Sequence, residues 1–463
     1  MDIKFGTDGW RGVMAREFTF GNVRRVAQAV AEHAKSQSQR PKGTAAVVGY
    51  DHRFQSEHFA AEVARVLESN GLPTLLLAEA LPTPAVSFLT RKLKALGLVV
   101  TASHNPPSYN GIKIKVDGRA ASETVTAGVE SFLDRANPSR QGKVETRSFR
   151  KDYLDYLRSQ INPAPLASKL KAPVVIDYMH GAGSGLMREL LKTPKLVEMR
   201  AERDPLFGGV NPEPVEANLA ALKKRVVEEK AMLGIALDGD ADRVAIVDDK
   251  GRYLTPCQVF PMILEYLISS RKMSGKIVQS VSMGCLSGRI AQAHGFEFEE
   301  LPVGFKHVGE QLASGAAAFG GEESGGYAWS GGLPERDGLL TGLLFVEMCV
   351  KTGKKPSELW DAVEKKHGKS FFARVDYHIH RAVVDKAVFT AKVQKKLPKK
   401  ISGSAIKNIV TTDGVKVILE GDYWVLMRPS GTEPLVRTYA ESDSPKRTQE
   451  MLESAAKWVN AQL

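Results

Sequence analysis

The sequence predicts an α/β protein: three similar α/β domains with mixed sheets, a smaller C-terminal α+β domain, and one central cleft that the domains share. Three observations carry the prediction. Continuous apolar strands alternate with amphipathic helices over most of the 463 residues, as in sheets covered on both faces. The alternation restarts after a polar stretch around residues 137–150 and again near residue 255. Three short, small-residue strands also run straight into polar loops: LGLVVTASHN, LGIALDGDAD and GAAAFGGEES. In open α/β sheets, ligands sit beyond the carboxyl ends of strands, so three such loops on three similar domains would face one cleft. Each alone is an ordinary strand–turn junction.

Taken in order, residues 22–36 read as an amphipathic helix with Val23, Val26, Ala27, Val30 and Ala34 on one face. A buried strand follows at 45–49, a helix at 55–69, a strand at 72–78, a helix at 84–95 and a short strand at 98–100. The second round has strands at 173–177, 195–199 and 233–237 and helices at 184–192 and 216–229. The third has helices at 256–271, 285–294 and 337–352 and strands at 276–281 and 316–320. The remainder changes character, with strands at 371–379, 415–419, 422–428 and 434–440 and helices at 383–396 and 445–460. The expected domains are 1–146, 147–249, 250–367 and 368–463, a division that suits domains of roughly 100–200 residues.

Composition narrows the function. The formal net charge of +11 is compatible with a small anionic substrate, nucleic acid or a membrane surface. The lysine run AKVQKKLPKK at 391–400 has no aromatic platform beside it and reads as a solvated helix face, so no nucleic-acid partner is expected. Cys257, Cys285 and Cys349 are far apart and lack CxxC spacing, so neither a disulfide framework nor a thiolate metal site is expected. The opening residues MDIKFGTDGWRG lack the apolar run of a signal peptide. The longest apolar stretch, residues 339–350, is broken by Gly342 and Glu347 and falls short of the roughly 20 residues of a membrane span. The expectation is a cytoplasmic monomer or dimer with no membrane partner.

Four loops carry the chemistry. In TASHNPPSYNGIKIK, residues 101–115, Ser103 follows a buried strand and a Pro-Pro pair stops the chain from continuing as a helix. Ser103 reads as a nucleophile or phosphate carrier that needs an activating partner; a turn capped by Ser103 is the plain alternative. In DGDADR, Asp238, Asp240 and Asp242 lie between two apolar strands. In extended chain these alternate carboxylates would project to one side, and three hard oxygen ligands suit Mg²⁺. An EF-hand loop needs Gly where Arg243 stands, and the DxDx[TV] loop of haloacid-dehalogenase phosphatases needs Thr or Val where Asp242 stands. In GEESGG, Glu322 and Ser324 suit vicinal sugar hydroxyls, with a Gly-rich surface turn as the plain alternative, and upstream Lys306 and His307 offer a cation or simply a charged helix start. In RPSGTEPLVR, Ser430, Gly431 and Thr432 can form an anion nest, and Arg428 and Arg437 add forked donors that match phosphate; a capped hairpin turn is the alternative.

TASHNP, DGDADR, GEESGG and RPSGTEP, in that order and at roughly domain-sized gaps, resemble the α-D-phosphohexomutase superfamily, which includes phosphoglucomutase, phosphomannomutase and phosphoglucosamine mutase. FGTDGWRG at residues 5–12 looks like that family's opening segment, so the resemblance spans essentially the whole chain. It implies a four-domain fold with its active site in a central cleft. It also implies a mutase that interconverts hexose 1-phosphate and hexose 6-phosphate through phosphoserine and a hexose 1,6-bisphosphate. By that resemblance Ser103 is the phosphoserine, and Asp238, Asp240 and Asp242 bind one Mg²⁺ together with an oxygen on Ser103 or its phosphate. Glu322 and Ser324 hold sugar hydroxyls. Arg428, Ser430, Gly431 and Thr432 hold the phosphate that is not reacting. Arg11 and Lys113 support the reacting phosphate and proton transfer, and Arg243 closes the metal loop.

As general acid/base, Lys113 needs its pKa lowered by burial or neighbouring cations; His104 is the second candidate. Several phosphomannomutase and phosphoglucosamine mutase relatives carry His where this chain has Gly326. That difference, with Glu323 in mid-loop, leans toward glucose or mannose over glucosamine. Phosphoglucosamine mutase and a non-catalytic phosphosugar-binding relative are the alternatives.

Overall fold

The computed structural model describes residues 3–6, 8–36, 46–133, 143–379, 385–430 and 434–460. The chain divides into two compact units. The first comprises Met1–Leu254, Gly304–Gly315 and Ser324–Ser357; the second comprises Thr255–Val303, Ala316–Glu323 and Glu358–Leu463.

The first unit holds two mixed sheets. The larger runs in the order Trp10–Val13, Tyr109–Val116, Leu96–Val100, Ala46–Tyr50, Thr74–Leu77 and Glu145–Arg147. The apolar runs AVVGY and LGLVV pair in parallel and are covered on both faces. On one face, helices Phe20–Ser36 and Ser56–Ser69 bury Val23, Val26, Val30, Val63 and Leu67 against Val48, Val100 and Ile112. On the other lies helix Thr83–Leu93. It approaches closely because Gly49 and Gly97 present no side chain: a Cβ on Gly97 would stand 2.5 Å from Thr90 Cγ2 and 3.0 Å from Val86 Cγ1. The smaller sheet runs Tyr253–Leu254, Val244–Val247, Leu233–Leu237, Val174–Asp177 and Leu196–Met199. Its last three strands are parallel, and Val244–Val247 returns antiparallel to Leu233–Leu237. The connection Asp238–Arg243 is therefore a hairpin turn at the carboxyl end of a buried strand. Gly342, in helix Gly338–Thr352, lets that helix approach Ile235, whose Cγ2 would be 3.0 Å from an added Cβ.

In the second unit, strands Phe298–Leu301, Ile277–Ser280 and Phe319–Glu322 are parallel. A separate antiparallel sheet runs Phe371–His378, Leu435–Ser442, Trp424–Pro429, Val415–Leu419, Ser404–Val410 and Lys400–Ile401. Helices Lys386–Lys395 and Pro445–Asn460 cover it, burying Phe389, Val393, Met451, Leu452 and Ala455 with Val417, Val425 and Val436.

Most elements fall within a few residues of their expected places. The strand expected at 316–320 is Phe319–Glu322: the small alanines before it have weak β-propensity. The strand Tyr109–Val116 is absent from the expected elements, because buried Lys113 and Lys115 disguise its eight residues. Helix Arg150–Gln160 buries only Tyr153, Leu154 and Leu157 and left little periodic signal. The lysine run splits between the helix ending at Lys395 and the strand Lys400–Ile401. Among the described residues no disulfide joins the cysteines, and no helix is long and apolar enough to cross a membrane.

Gly97→Val should overpack the interface with helix Thr83–Leu93, at a cost of about 1–3 kcal/mol. The expected readout is a lower midpoint of thermal unfolding.

Candidate active site

Ser103 sits where the strand Leu96–Val100 gives way to its loop, fully buried, at φ 53°, a left-handed backbone that few non-glycine residues adopt. A buried arginine holds the loop in that shape. Arg53 donates to the carbonyls of Ser103 (2.7 Å), Asn105 (2.6 Å), Pro106 (2.9 Å) and Tyr109 (3.0 Å). Its charge is matched by Asp51, whose Oδ2 is 3.2 Å from Arg53 Nε and accepts from Thr101 Oγ1 at 2.6 Å. Thr101 Oγ1 in turn accepts from the Ser103 backbone N–H at 2.8 Å. Arg11 joins the loop through Asn105 Oδ1 at 2.7 Å.

The Ser103 hydroxyl donates to Asp238 Oδ2 at 2.8 Å, so the first and second motifs meet. The expectation of an extended acidic segment fails in one respect: the motif is a turn, with Ala241 at φ 54°. The turn converges the three carboxylates more tightly than alternation along a strand would, placing one oxygen of each within 4.8 Å of the others. Gly239 permits the approach, since a Cβ there would lie 2.5 Å from the Ser103 carbonyl oxygen. Thr83, at the start of its helix, donates through Oγ1 to Asp240 Oδ2 (2.5 Å) and through its N–H to the Asp240 carbonyl (2.9 Å).

Cations surround the carboxylates. Lys113 Nζ is 2.8 Å from Asp8 Oδ2, 2.8 Å from Asp240 Oδ2 and 2.9 Å from Asp242 Oδ2. Lys115, two residues along the same strand and on the same face, pairs with Glu335 at 2.7 Å. Arg336 reaches Asp242 Oδ2 at 2.7 Å and Asp8 Oδ2 at 2.9 Å. Arg243 donates its N–H to Asp238 Oδ1 at 3.0 Å, with its side-chain Nε 3.9 Å from Asp242. Asp240 Oδ1 and Asp242 Oδ1 are buried and accept no hydrogen bond from the described residues. Orphaned carboxylate oxygens are costly, and these, with Asp238, form the hard-oxygen donor set a divalent ion such as Mg²⁺ takes. The residues fit the ion.

The electrostatics sort the candidates. Burial, then Asp240 and Asp242, push the Asp238 carboxyl well up. Burial acts likewise on Asp240, but Lys113 and the Lys113 and Thr83 hydrogen bonds hold it below the ordinary carboxylate range. Burial disfavours the Lys113 ammonium, yet Asp240, Asp242 and Asp8 outweigh it and raise its pKa. This reverses the lowering expected of a lysine base: the neighbours in contact are mostly anions. His104 differs. Burial and then Arg243, Arg11, Lys113 and Arg336 push it well below the ordinary imidazole value, and its Nδ1 is 3.3 Å from Ser103 Oγ.

Lys306 forms an ion pair with Glu123, and His307 follows it on helix Phe305–Ala313. Ser324 belongs to the first unit; Glu322 ends a strand of the second and is 4% exposed. Its neighbour Glu323 accepts from Ser282 Oγ at 2.6 Å and Ser280 Oγ at 3.2 Å. In the second unit Arg428 and Arg437 are directly opposite across paired strands. Arg428 binds Asp413 at 2.6 Å, while Arg437 Nε is 3.9 Å from Asp376. Like charges so placed repel, and an anion beside them relieves it. Ser430 is buried; Gly431 and Thr432 lie outside the described residues.

Asp8, Asp51, Arg53, Thr83, Lys115, Glu335 and Arg336 were not singled out in the sequence. Asp51 and Arg53 had a signal: the strand Ala46–Tyr50 runs into the polar DHR just as the other three strands run into their motifs. The buried Lys115 had one too, two residues from Lys113. Asp8, Glu335 and Arg336 had none, because only tertiary packing brings them to the site.

A hydroxyl set against clustered carboxylates, within a shell of fixed cations, is equipped for phosphoryl groups, whose transfer depends on positioning and charge neutralisation; the molecule is an α/β phosphotransfer enzyme. The phosphoglucomutase/phosphomannomutase α/β/α domains I, II and III match residues 2–140, 151–251 and 255–367, and the C-terminal domain matches 380–457. The chain belongs to this family, within the α-D-phosphohexomutase superfamily. It is 32% identical to a phosphoglucomutase/phosphomannomutase of Thermococcus kodakarensis, covering 99% of each chain. It is 33% identical to a phosphoglucosamine mutase of Carboxydothermus hydrogenoformans, covering 97% of each, and 29% identical to a phosphopentomutase of Thermococcus kodakarensis, covering 98% of this chain and 97% of the relative. A solved structure of a phosphomannomutase candidate from Thermus thermophilus superposes with a TM-score of 0.88 at 34% identity, covering 99% of both chains.

Two measurements check this geometry. Arg53→Met leaves Asp51 buried without its cation, at a cost of about 3–5 kcal/mol, read as a lower thermal midpoint and faster proteolysis of the Ser103 loop. Burial holds the Asp337 carboxyl up at about 7, against an ordinary 3.8, while Tyr153 OH donates to it at 2.8 Å. Between roughly pH 4 and pH 7 the native state therefore carries a proton that the unfolded chain has released, and this group's contribution to stability falls as pH rises. Relative to Asp337→Asn, the wild type should lose stability from pH 4 to pH 8 in denaturant titrations.

Proposed function

We propose that this enzyme interconverts hexose 1-phosphate and hexose 6-phosphate, of glucose and/or mannose, through phosphorylated Ser103 and a hexose 1,6-bisphosphate. The observation that carries the reading is the 2.8 Å hydrogen bond from Ser103 Oγ to Asp238 within the converged aspartates. In this reading Asp238, Asp240, Asp242 and an oxygen on Ser103 hold Mg²⁺, which when bound stabilises phosphoryl oxygens as a Lewis acid.

Phosphoserine gives its phosphoryl group to the free hydroxyl of the monophosphate. The bond to Ser103 Oγ breaks, the bond to the sugar oxygen forms, and the hydroxyl proton passes to a base. The bisphosphate then turns over, and its other phosphoryl group returns to Ser103. Lys113, fixed by three carboxylates, and Arg11, fixed through Asn105, support the reacting phosphate. His104, within reach of Ser103 Oγ, is the favoured proton carrier. Glu322 and Ser324 hold ring hydroxyls, with Lys306 and His307 as further candidates for the sugar side. Arg428, Ser430, Gly431, Thr432 and Arg437 take the distal phosphate; the facing arginines support that role. Each of the four segments 1–146, 147–249, 250–367 and 368–463 contributes one motif.

The similarity to a phosphoglucosamine mutase makes glucosamine phosphate the second reading. Turnover of glucose 1-phosphate, mannose 1-phosphate and glucosamine 1-phosphate separates the two. A glucose or mannose ester should lead in kcat/KM, and a clear lead for the glucosamine ester would replace the first reading with the second. Ser103→Ala should abolish the phosphorylated species seen by intact mass and lower kcat/KM by on the order of 10³-fold or more; net phosphate release without isomer formation would point to a phosphatase instead.

A further inference from the structure

Gly326 ends the sugar loop and begins the strand Gly326–Trp329. Its φ is not in the positive range, so backbone conformation does not demand glycine there. Space does. An added Cβ would lie 2.6 Å from Arg336 Cγ and nearer still to Cδ, well inside van der Waals contact. Nor can Arg336 step aside. It is 5% exposed, its guanidinium carbon lies 5.4 Å from the centroid of the Phe305 ring, and its terminal nitrogen is fixed on Asp242 Oδ2 and Asp8 Oδ2. All of these residues lie in the first unit.

The carboxylate that Arg336 grips is one of the three that converge. Lys113 Nζ already holds the same Asp242 oxygen at 2.9 Å, so orientation of Asp242 does not depend on Arg336. What Arg336 adds is a positive charge, kept next to the acidic turn by one guanidinium nitrogen shared between Asp242 and Asp8.

We infer that Gly326 and Arg336 are a size-matched pair, and that Arg336 is a positioning residue that balances charge at the acidic turn, weakening its hold on cations and favouring an anionic phosphoryl group beside it. The inference rests on reading Asp238, Asp240 and Asp242 as the divalent-ion site.

The test combines a double-mutant cycle with Mn²⁺ binding, followed calorimetrically on the full chain. Gly326→Ala should lower kcat/KM for glucose 1-phosphate roughly 10-fold or more with Arg336 present and less than about 2-fold when Arg336 is already Ala, the non-additivity expected of residues in contact. Arg336→Met should tighten Mn²⁺ several-fold while raising the KM for glucose 1-phosphate, as removal of one positive charge requires. Arg336→Lys, which keeps the charge, should stay within about 2-fold of wild type in Mn²⁺ affinity; it carries the binding test if the Met variant does not fold. Additive effects in the cycle, loss of Mn²⁺ affinity in Arg336→Met, or tighter Mn²⁺ binding by Arg336→Lys would each overturn the inference. A wild-type protein that binds no Mn²⁺ would overturn the ion-site reading beneath it as well.

Discussion

Carboxylates taken out of water next to one another repel, and the first unit is arranged around that fact. Asp238, Asp240 and Asp242 are completely buried in one turn, with Asp8 reaching the same cations. Such a group survives only with compensating charge. The strand Tyr109–Val116 supplies it by carrying two buried lysines on one face and Ile112 and Ile114 on the other. A strand that would otherwise be a plain sheet member thus serves the core with half of its residues and the site with the rest.

The parts legible in sequence were those whose signal is local. Apolar runs such as LGIAL and amphipathic stretches such as residues 22–36 announce their elements because burial imposes a period on neighbouring residues. The Ser103 loop and the acidic turn announced themselves because each crowds unusual residues into a few positions. Arg336 is separated from Asp8 by 328 residues, and no local pattern connects them. Lys113 shows a subtler failure. Its presence was legible, but the sign of its pKa shift depended on Asp8, Asp240 and Asp242 arriving from elsewhere, and burial alone argued the other way.

The GEESGG loop shows that motif letters answer to packing as well as to a ligand. Glu323 and Gly326 suggested a hexose preference. Glu323 is engaged by Ser280 and Ser282 within its own unit, and Gly326 makes room for an arginine side chain. Both residues have packing reasons to be what they are, so neither needs the sugar's C2 substituent to explain it. The second unit has its own buried polar tie: Lys416 donates to the Val281 carbonyl at 2.9 Å and to Glu300 at 2.6 Å while lying over the Trp424 ring. It binds the antiparallel sheet to the parallel strands on which Glu322 is carried.

The left-handed backbone at Ser103 bears on which hydroxyl amino acid this position can accept. Threonine carries the same hydroxyl, yet its β-branch is poorly tolerated at positive φ. The fold therefore discriminates between two alcohols of nearly equal chemistry by backbone torsion alone, and the clamp formed by Arg53 that enforces the torsion is what commits this site to serine.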